Sequence, residues 1–299
     1  MSARNDKDID QLVADYENPI ADILTAGHHD PEWLVEGLLL QGIIQCLAGL
    51  PNVGKSYISY TLGLAIATGL SALDGIIKTS TPKRVLYFDQ ENGKQDRDKY
   101  LRECYFGLAH ENSAEPDLGL LHENFVPLSH ILGRRDWEDV AAGFVDRFQP
   151  HCIVFDTATP CFDLESENDN SEATKAINAI RRLNNRVDPA ATALVLRHEK
   201  QMDDPQKKGR RQMRGAKAWL GSTDGTWFQV RLPGRPRKQG FLTRLEPDKT
   251  RAYGLQGKIH ITPEWVRNDT GLYLQGSFTP NKEHKKRLAE EGDDDDDGG

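Results

Sequence analysis

The 299 residues carry a formal charge of −8 and 37% hydrophobic side chains, which is enough apolar content for one large or two smaller packed cores. Five of the negative charges sit together at Asp293 to Asp297, so local charge says more about partners than the sum does. Four cysteines without C-x-x-C spacing argue against a zinc ribbon or disulfide scaffold and for buried free thiols; with no apolar leader and no apolar run of membrane-spanning length, the expected location is the cytoplasm.

Residues 1–20 are polar and acidic and read as a loose leader, with Leu12, Val13 and Tyr16 able to form one helical turn or a docking arm. Residues 22–40 bring Trp33, Leu34, Val35, Leu38 and Leu39 close together, as in a lid packed beside the segment that follows. Trp33 could stack on a base or fill the core.

Residues 43–57 read IIQCLAGLPNVGKSY. A strand-like run leads into Gly49, Leu50, Pro51, Asn52, Val53, Gly54, Lys55 and Ser56, which together match G-x-x-x-x-G-K-[ST], the phosphate loop. Glycine is needed where the backbone wraps an anion closely with its N–H groups pointing inward. Lys55 is placed to reach the β- and γ-phosphates and Ser56 to hold Mg²⁺, while Tyr57 opens a helix over residues 57–68 whose N-terminal dipole favours the same anion. The segment predicts binding of ATP with Mg²⁺.

Residues 84–88 form a second apolar strand ending in Asp89, Gln90 and Glu91. A carboxylate just past such a strand can polarise water for attack on a γ-phosphate, so Glu91 is the candidate base and Asp89 its nearest substitute. A helix is expected over 94–108, a strand over 120–128 and an amphipathic helix over 137–148. Residues 151–156 (HCIVFD) are a strand ending in Asp156, an acid positioned to serve Mg²⁺ opposite Ser56. A polar loop over 157–172, a helix over 173–187 and a strand over 191–196 follow. At that strand's tip, His198 is the candidate γ-phosphate sensor.

Residues 201–215 lack apolar periodicity and carry Lys207, Lys208, Arg210, Arg211 and Arg214, a basic loop suited to a phosphodiester backbone. Strands are expected over 225–232, 240–245, 258–262 and 271–278. Between the second and third, Lys249 and Arg251 share one side of an extended segment and could address one anion. Residues 281–299 read as a charged disordered tail, first basic and then acidic.

This order of elements resembles the RecA-like ATPases, and more narrowly the plasmid-encoded hexameric replicative helicases with their phage and chromosomal relatives. The residues that carry the likeness are PEWLV at 31–35, the phosphate loop, LYFDQE at 86–91, VFDT at 154–157, His198 with Lys200, Arg214 with Gly215, and Lys249 with Arg251. The resemblance implies an α/β fold over residues 21–280, with a mostly parallel central sheet flanked by helices and C-terminal antiparallel hairpins. It implies Glu91 as the catalytic glutamate, Asp156 as the Mg²⁺ acid and His198 as the sensor. The basic loop then faces the channel of a hexameric ring and meets single-stranded DNA during replication, while Lys249 and Arg251 enter the neighbouring subunit's nucleotide. Arg214 competes with that pair as the trans-acting finger. Where the family often has His-His, this chain has Arg197-His198. Two other classes share these residues: a nucleotide-switched assembly ATPase whose acidic tail meets a protein partner, and a strand-annealing or recombination ATPase that forms filaments.

Overall fold

The structure is a computed structural model and describes residues 32–79, 81–129, 136–165, 169–199, 217–232, 242–249, 255, 257–266 and 270–281. All the elements below lie in the unit that begins at Trp33. A short hairpin, β1 (Trp33–Val35) with β2 (Leu39–Leu40), comes first. The apolar runs then become six parallel strands: β3 (Ile44–Gly49), β4 (Val85–Asp89), β5 (Phe125–Ser129), β6 (Cys152–Asp156), β7 (Thr192–His198) and β8 (Gly225–Arg231). They pair side by side in the order β8-β3-β7-β6-β4-β5. Every residue of β3, β4 and β6 is buried, as a parallel sheet covered on both faces requires.

Both covers are helical, and strand alternation decides which side chain meets which cover. On β6, Cys152 and Val154 join the core formed with α1 (Lys55–Thr68) and α2 (Lys94–Glu111). Ile153 and Phe155 join the opposite core with α4 (Trp137–Phe148), α5 (Ala158–Cys161), α6 (Asn170–Asn184) and Trp219 of α7 (Lys217–Ser222). Beyond β8 the sheet turns antiparallel through β9 (Thr243–Lys249), β10 (Gly257–Val266) and β11 (Gly271–Pro280). The expected α/β architecture with C-terminal hairpins is thus present. β8 belongs to both parts, parallel to β3 and antiparallel to β9.

Three local expectations need correction. Residues 120–128 are not one strand, because Asp117 accepts from the Leu120 amide and starts α3 (Leu118–Asn124); only Phe125 onward pairs with β4. The polar stretch 157–172 is not all loop, since it holds the four residues of α5 and the start of α6, where Asp169 caps the Ser171 and Glu172 amides. Nor is the 33–40 hairpin a lid beside the phosphate loop. The Leu40 carbonyl accepts from Thr192 Oγ1, and the Gly42 amide donates to the same oxygen. Thr192 opens β7, so the hairpin closes the amino-terminal end of the parallel strands, away from the phosphate loop. Trp33 pairs across this hairpin with Leu40, which favours packing over base stacking.

All four cysteines are buried free thiols, and burial pushes Cys104 and Cys152 up to about 12. Among the described residues no helix is long and apolar enough to cross a membrane.

Candidate active site

Asp156 and His198 end parallel strands, Glu91 lies two residues past the end of another, and Lys55 and Ser56 open the helix that follows β3. The register sets Gly49 beside His198 and Asp89 beside Asp156, so the tips of β3, β7, β6 and β4 form one rim. The chain goes from β3 to β4 on one side while β8 flanks β3 on the other, which opens a crevice where the strand order reverses. Ligands of open α/β sheets bind at such points.

The phosphate loop needs its glycines for two different reasons. Gly54 is left-handed, with φ of 93°, immediately before α1. At Gly49 the reason is space, because an added Cβ would lie 2.7 Å from the Gln229 carbonyl oxygen and 3.0 Å from Val53. Gly49→Ala is therefore expected to lower stability by about 1–3 kcal/mol and to weaken ATP binding, as thermal unfolding and nucleotide titration would register. Lys55 is buried and folds back so that Nζ donates to the Gly49 and Leu50 carbonyls at 3.2 and 3.1 Å. Burial lowers its pKa, opposed by the charges of Glu91, Asp156 and Glu199.

A cavity of about 270 Å³ opens over this loop. Lys55, Ser56, Glu91, Asp156 and His198 all line it, together with Pro51, Asn52, Gly54 and Tyr57 of the expected nucleotide contacts. Gly49, Leu50 and Val53 belong to the same loop but do not line the cavity; Gly49 and Val53 are buried, while Leu50 is exposed. A larger cavity of about 470 Å³ lies between α4 and α6, but it contains none of the phosphate-loop or strand-tip groups, so the smaller one is the chemical site.

The three acids at the rim have distinct environments. Asp89 is fully buried and fully engaged: Oδ2 accepts from the Tyr60 hydroxyl at 2.8 Å, and Oδ1 accepts from both nitrogens of Asn92 at 3.0 Å. That removes it as a substitute base. Glu91 is half exposed, and its Oε2 lies 3.9 Å from His198 Nε2. Its backbone is pinned, because the Gln90 and Glu91 amides both donate to the Asp156 carbonyl at 2.8 and 3.2 Å. Asp156 is fully buried, and burial, followed by the Asp89 charge, pushes its pKa up to about 7.

Asp156 Oδ2 accepts from Tyr87 at 2.9 Å, whereas the buried Oδ1 has no hydrogen-bond partner by geometry; the Ser56 hydroxyl is close enough to this carboxyl to oppose the rise in its pKa. A hydroxyl next to an acceptor-only oxygen in need of a partner suits Mg²⁺, which takes few protein ligands and completes its shell with water and phosphate.

Sequence reasoning missed the aromatic layer beneath the acids. Tyr60 stacks on Tyr87 with ring centroids 4.2 Å apart, and Tyr87 shares a 2.6 Å hydrogen bond with Ser59. Tyr57 donates to Glu103 at 2.7 Å and meets Tyr100 edge-on, which brings Tyr100 to the cavity lining along with Asn92. The tyrosines at 57 and 60 were visible as a spacing on α1, but their acidic partners come from other elements. Of the remaining expectations, Lys249 ends β9 and its side chain lies outside the described set. Arg251 and the basic residues Lys207, Lys208, Arg210, Arg211 and Arg214 also lie outside the described residues, as do the leader over 1–20 and residues 282–299 of the tail.

A family model described as AAA domain matches residues 15–204, more than half of the 299. No curated protein matches the chain. Among solved structures, the crystal structure of the RadB recombinase is similar at a TM-score of 0.50 and 14% identity, over 85% of this chain and 95% of that one. That likeness concerns the fold, and it agrees with the parallel sheet and its phosphate loop. With the family model spanning the phosphate loop and every strand-tip group described above, the chain belongs to the AAA domain family and is a P-loop ATPase whose fold is RecA-like.

Proposed function

We propose that the chain is an ATP-driven motor that acts on single-stranded DNA as a homo-oligomeric ring, of the plasmid-type hexameric helicase kind, in the cytoplasm. The observation that carries this reading is His198 at the end of β7: it pairs in register with Gly49 of the phosphate loop and lies 3.9 Å from Glu91, and the basic segment 201–215 follows it closely in sequence. A change at the γ-phosphate therefore has a short covalent path to groups suited to a phosphodiester backbone.

Within the site, Lys55 leaves the two loop carbonyls to meet the incoming phosphates, and Glu91 takes the proton of the attacking water. His198, within ion-pair reach of Glu91, registers whether the γ-phosphate is present. Ser56 and Asp156 would hold Mg²⁺, which when bound neutralises charge on the β- and γ-oxygens. Lys249 and Arg251 are proposed to serve the neighbouring subunit's nucleotide, which would make an isolated protomer a poor hydrolase.

The test is ATP hydrolysis with and without single-stranded DNA, over a range of protein concentrations and at two salt concentrations. The expected result is a rate that rises at least several-fold with DNA, climbs with protein concentration and loses its DNA response at high salt. A rate indifferent to DNA at low salt would sink the motor reading and favour the nucleotide-switched alternative, in which the acidic tail meets a protein partner. The recombinase name of the structural neighbour is a reason to image the assembly as well, because a filament-forming recombination ATPase would use the same site residues; rings and filaments separate directly in negative stain.

A further inference from the structure

We infer that Gln229 is a positioning residue of the phosphate loop, aiming the Gly54 N–H at the bound phosphates and tying the loop to the C-terminal hairpin. The inference rests on the nucleotide-binding reading above. Gln229 is on β8, in register with Gly49, and both it and Thr243 of β9 are fully buried. Its Nε2 donates to the Val53 carbonyl at 2.8 Å and to Thr243 Oγ1 at 3.2 Å. The amide orientation is set by chemistry, since a backbone carbonyl only accepts and so must face the NH₂ end.

The consequence follows from peptide geometry. The Val53 carbonyl and the Gly54 N–H belong to one peptide unit, which is planar and trans, so they point in opposite directions. Pinning the carbonyl toward β8 and β9 points the N–H away from them, and Gly54 lines the nucleotide cavity. Without the pin, the left-handed turn at Gly54 would be free to rotate this peptide, because glycine carries no steric penalty for doing so. Full burial strengthens the contact, since water cannot compete for the carbonyl. The second hydrogen bond makes the device two-ended. Thr243 opens the strand that runs to Lys249, so a displacement of β9 reaches the phosphate loop through one side chain.

The experiment compares ATP and ADP affinity, kcat, KM and thermal stability in the full chain for wild type, Gln229→Met and Val230→Ala. Met keeps the shape of Gln229 and loses both hydrogen bonds. Val230 is the next residue on β8 and packs in the core on the other sheet face, so it controls for loss of packing alone. Gln229→Met is expected to bind ATP and ADP about 10-fold more weakly, with KM rising more than kcat falls, the loss of one or two buried neutral hydrogen bonds. Val230→Ala should lose stability and keep wild-type affinity. If Gln229→Met fails to fold, Gln229→Leu, a second apolar side chain of similar size that also lacks the donor, reads the same loss, and it should weaken both nucleotides to a similar degree. Equal affinity of wild type and the folded Gln229 variant overturns the inference alone. A wild-type protein that binds no ATP overturns both it and the reading on which it rests.

Discussion

Glu91→Gln is expected to lower ATP hydrolysis by roughly two to four powers of ten while leaving ATP affinity within about threefold of wild type, the signature of losing general-base help without losing binding groups. The geometry favours this residue over its neighbours. Its carboxylate is half exposed, so a water can reach it, yet its backbone is fixed by the Asp156 carbonyl, which accepts from both the Gln90 and Glu91 amides. Asp89 lies two residues away and has no free acceptor role: it is buried, and Tyr60 and Asn92 occupy both oxygens. Burial raises the pKa of Asp89, which would favour proton uptake, but the same enclosure keeps an attacking water from its carboxylate and is consistent with a structural duty. Single-turnover hydrolysis and equilibrium ATP titration decide the matter. Retention of more than a tenth of the wild-type rate by Glu91→Gln would remove it as the base.

The division between what the residues announced and what they concealed follows from the range of each interaction. The phosphate loop was legible because its chemistry is local: eight consecutive residues supply the turn, the lysine and the hydroxyl, and flanking apolar runs supply the strand and helix. Glu91, Asp156 and His198 were legible as the polar ends of buried strands. Their convergence was not contained in those runs; it depends on the order β3-β7-β6-β4, which sets residue 49 beside 198 and residue 156 beside 89 along one rim. The engagement of Asp89 was hidden because its partner Tyr60 sits on α1, 29 positions earlier. Gln229 was hidden for the same reason at greater range, since it meets Val53 across 176 positions. In a strand rich in Thr, Trp, Phe and Val, one glutamine carries no periodic signal.

Local propensity failed where capping outweighed hydrophobic pattern. The run from Leu118 to Leu128 has strand-like apolar content, but Asp117 offers an N-cap oxygen and the preceding polar stretch lets a helix start there. Pairing with β4 claims only the part that reaches the sheet. The hairpin at 33–40 failed differently. Its apolar side chains were correctly read as buried, but the hydrogen bonds that decide which end of the sheet it closes come from Thr192.

Asp156→Asn is expected to move activity and stability in opposite directions. Hydrolysis should fall on the order of 10³-fold, because the carboxylate paired with Ser56 for Mg²⁺ loses its charge. Stability without nucleotide should nevertheless rise above neutral pH. The Asp156 pKa is raised to about 7 by burial and by the Asp89 charge, so the folded state holds this proton more tightly than the unfolded chain does. The resulting stabilisation is full below the ordinary carboxylate pKa and is lost as pH climbs through about 7, where an ionised carboxylate sits buried. Asparagine has no such transition. At pH 8, in chelator, the variant should therefore be more stable by on the order of 2–4 kcal/mol, several degrees in Tm, and near pH 4 the gap should close. Magnesium and ATP together should raise the wild-type Tm more than the variant's, since only the wild type has a charge for the complex to neutralise. Calorimetry across pH 4–8, with and without nucleotide, reads all of this. A variant no more stable than wild type at pH 8 would mean that Asp156 is not carrying a desolvated charge there, and the strain assigned to this acid would have to be given up.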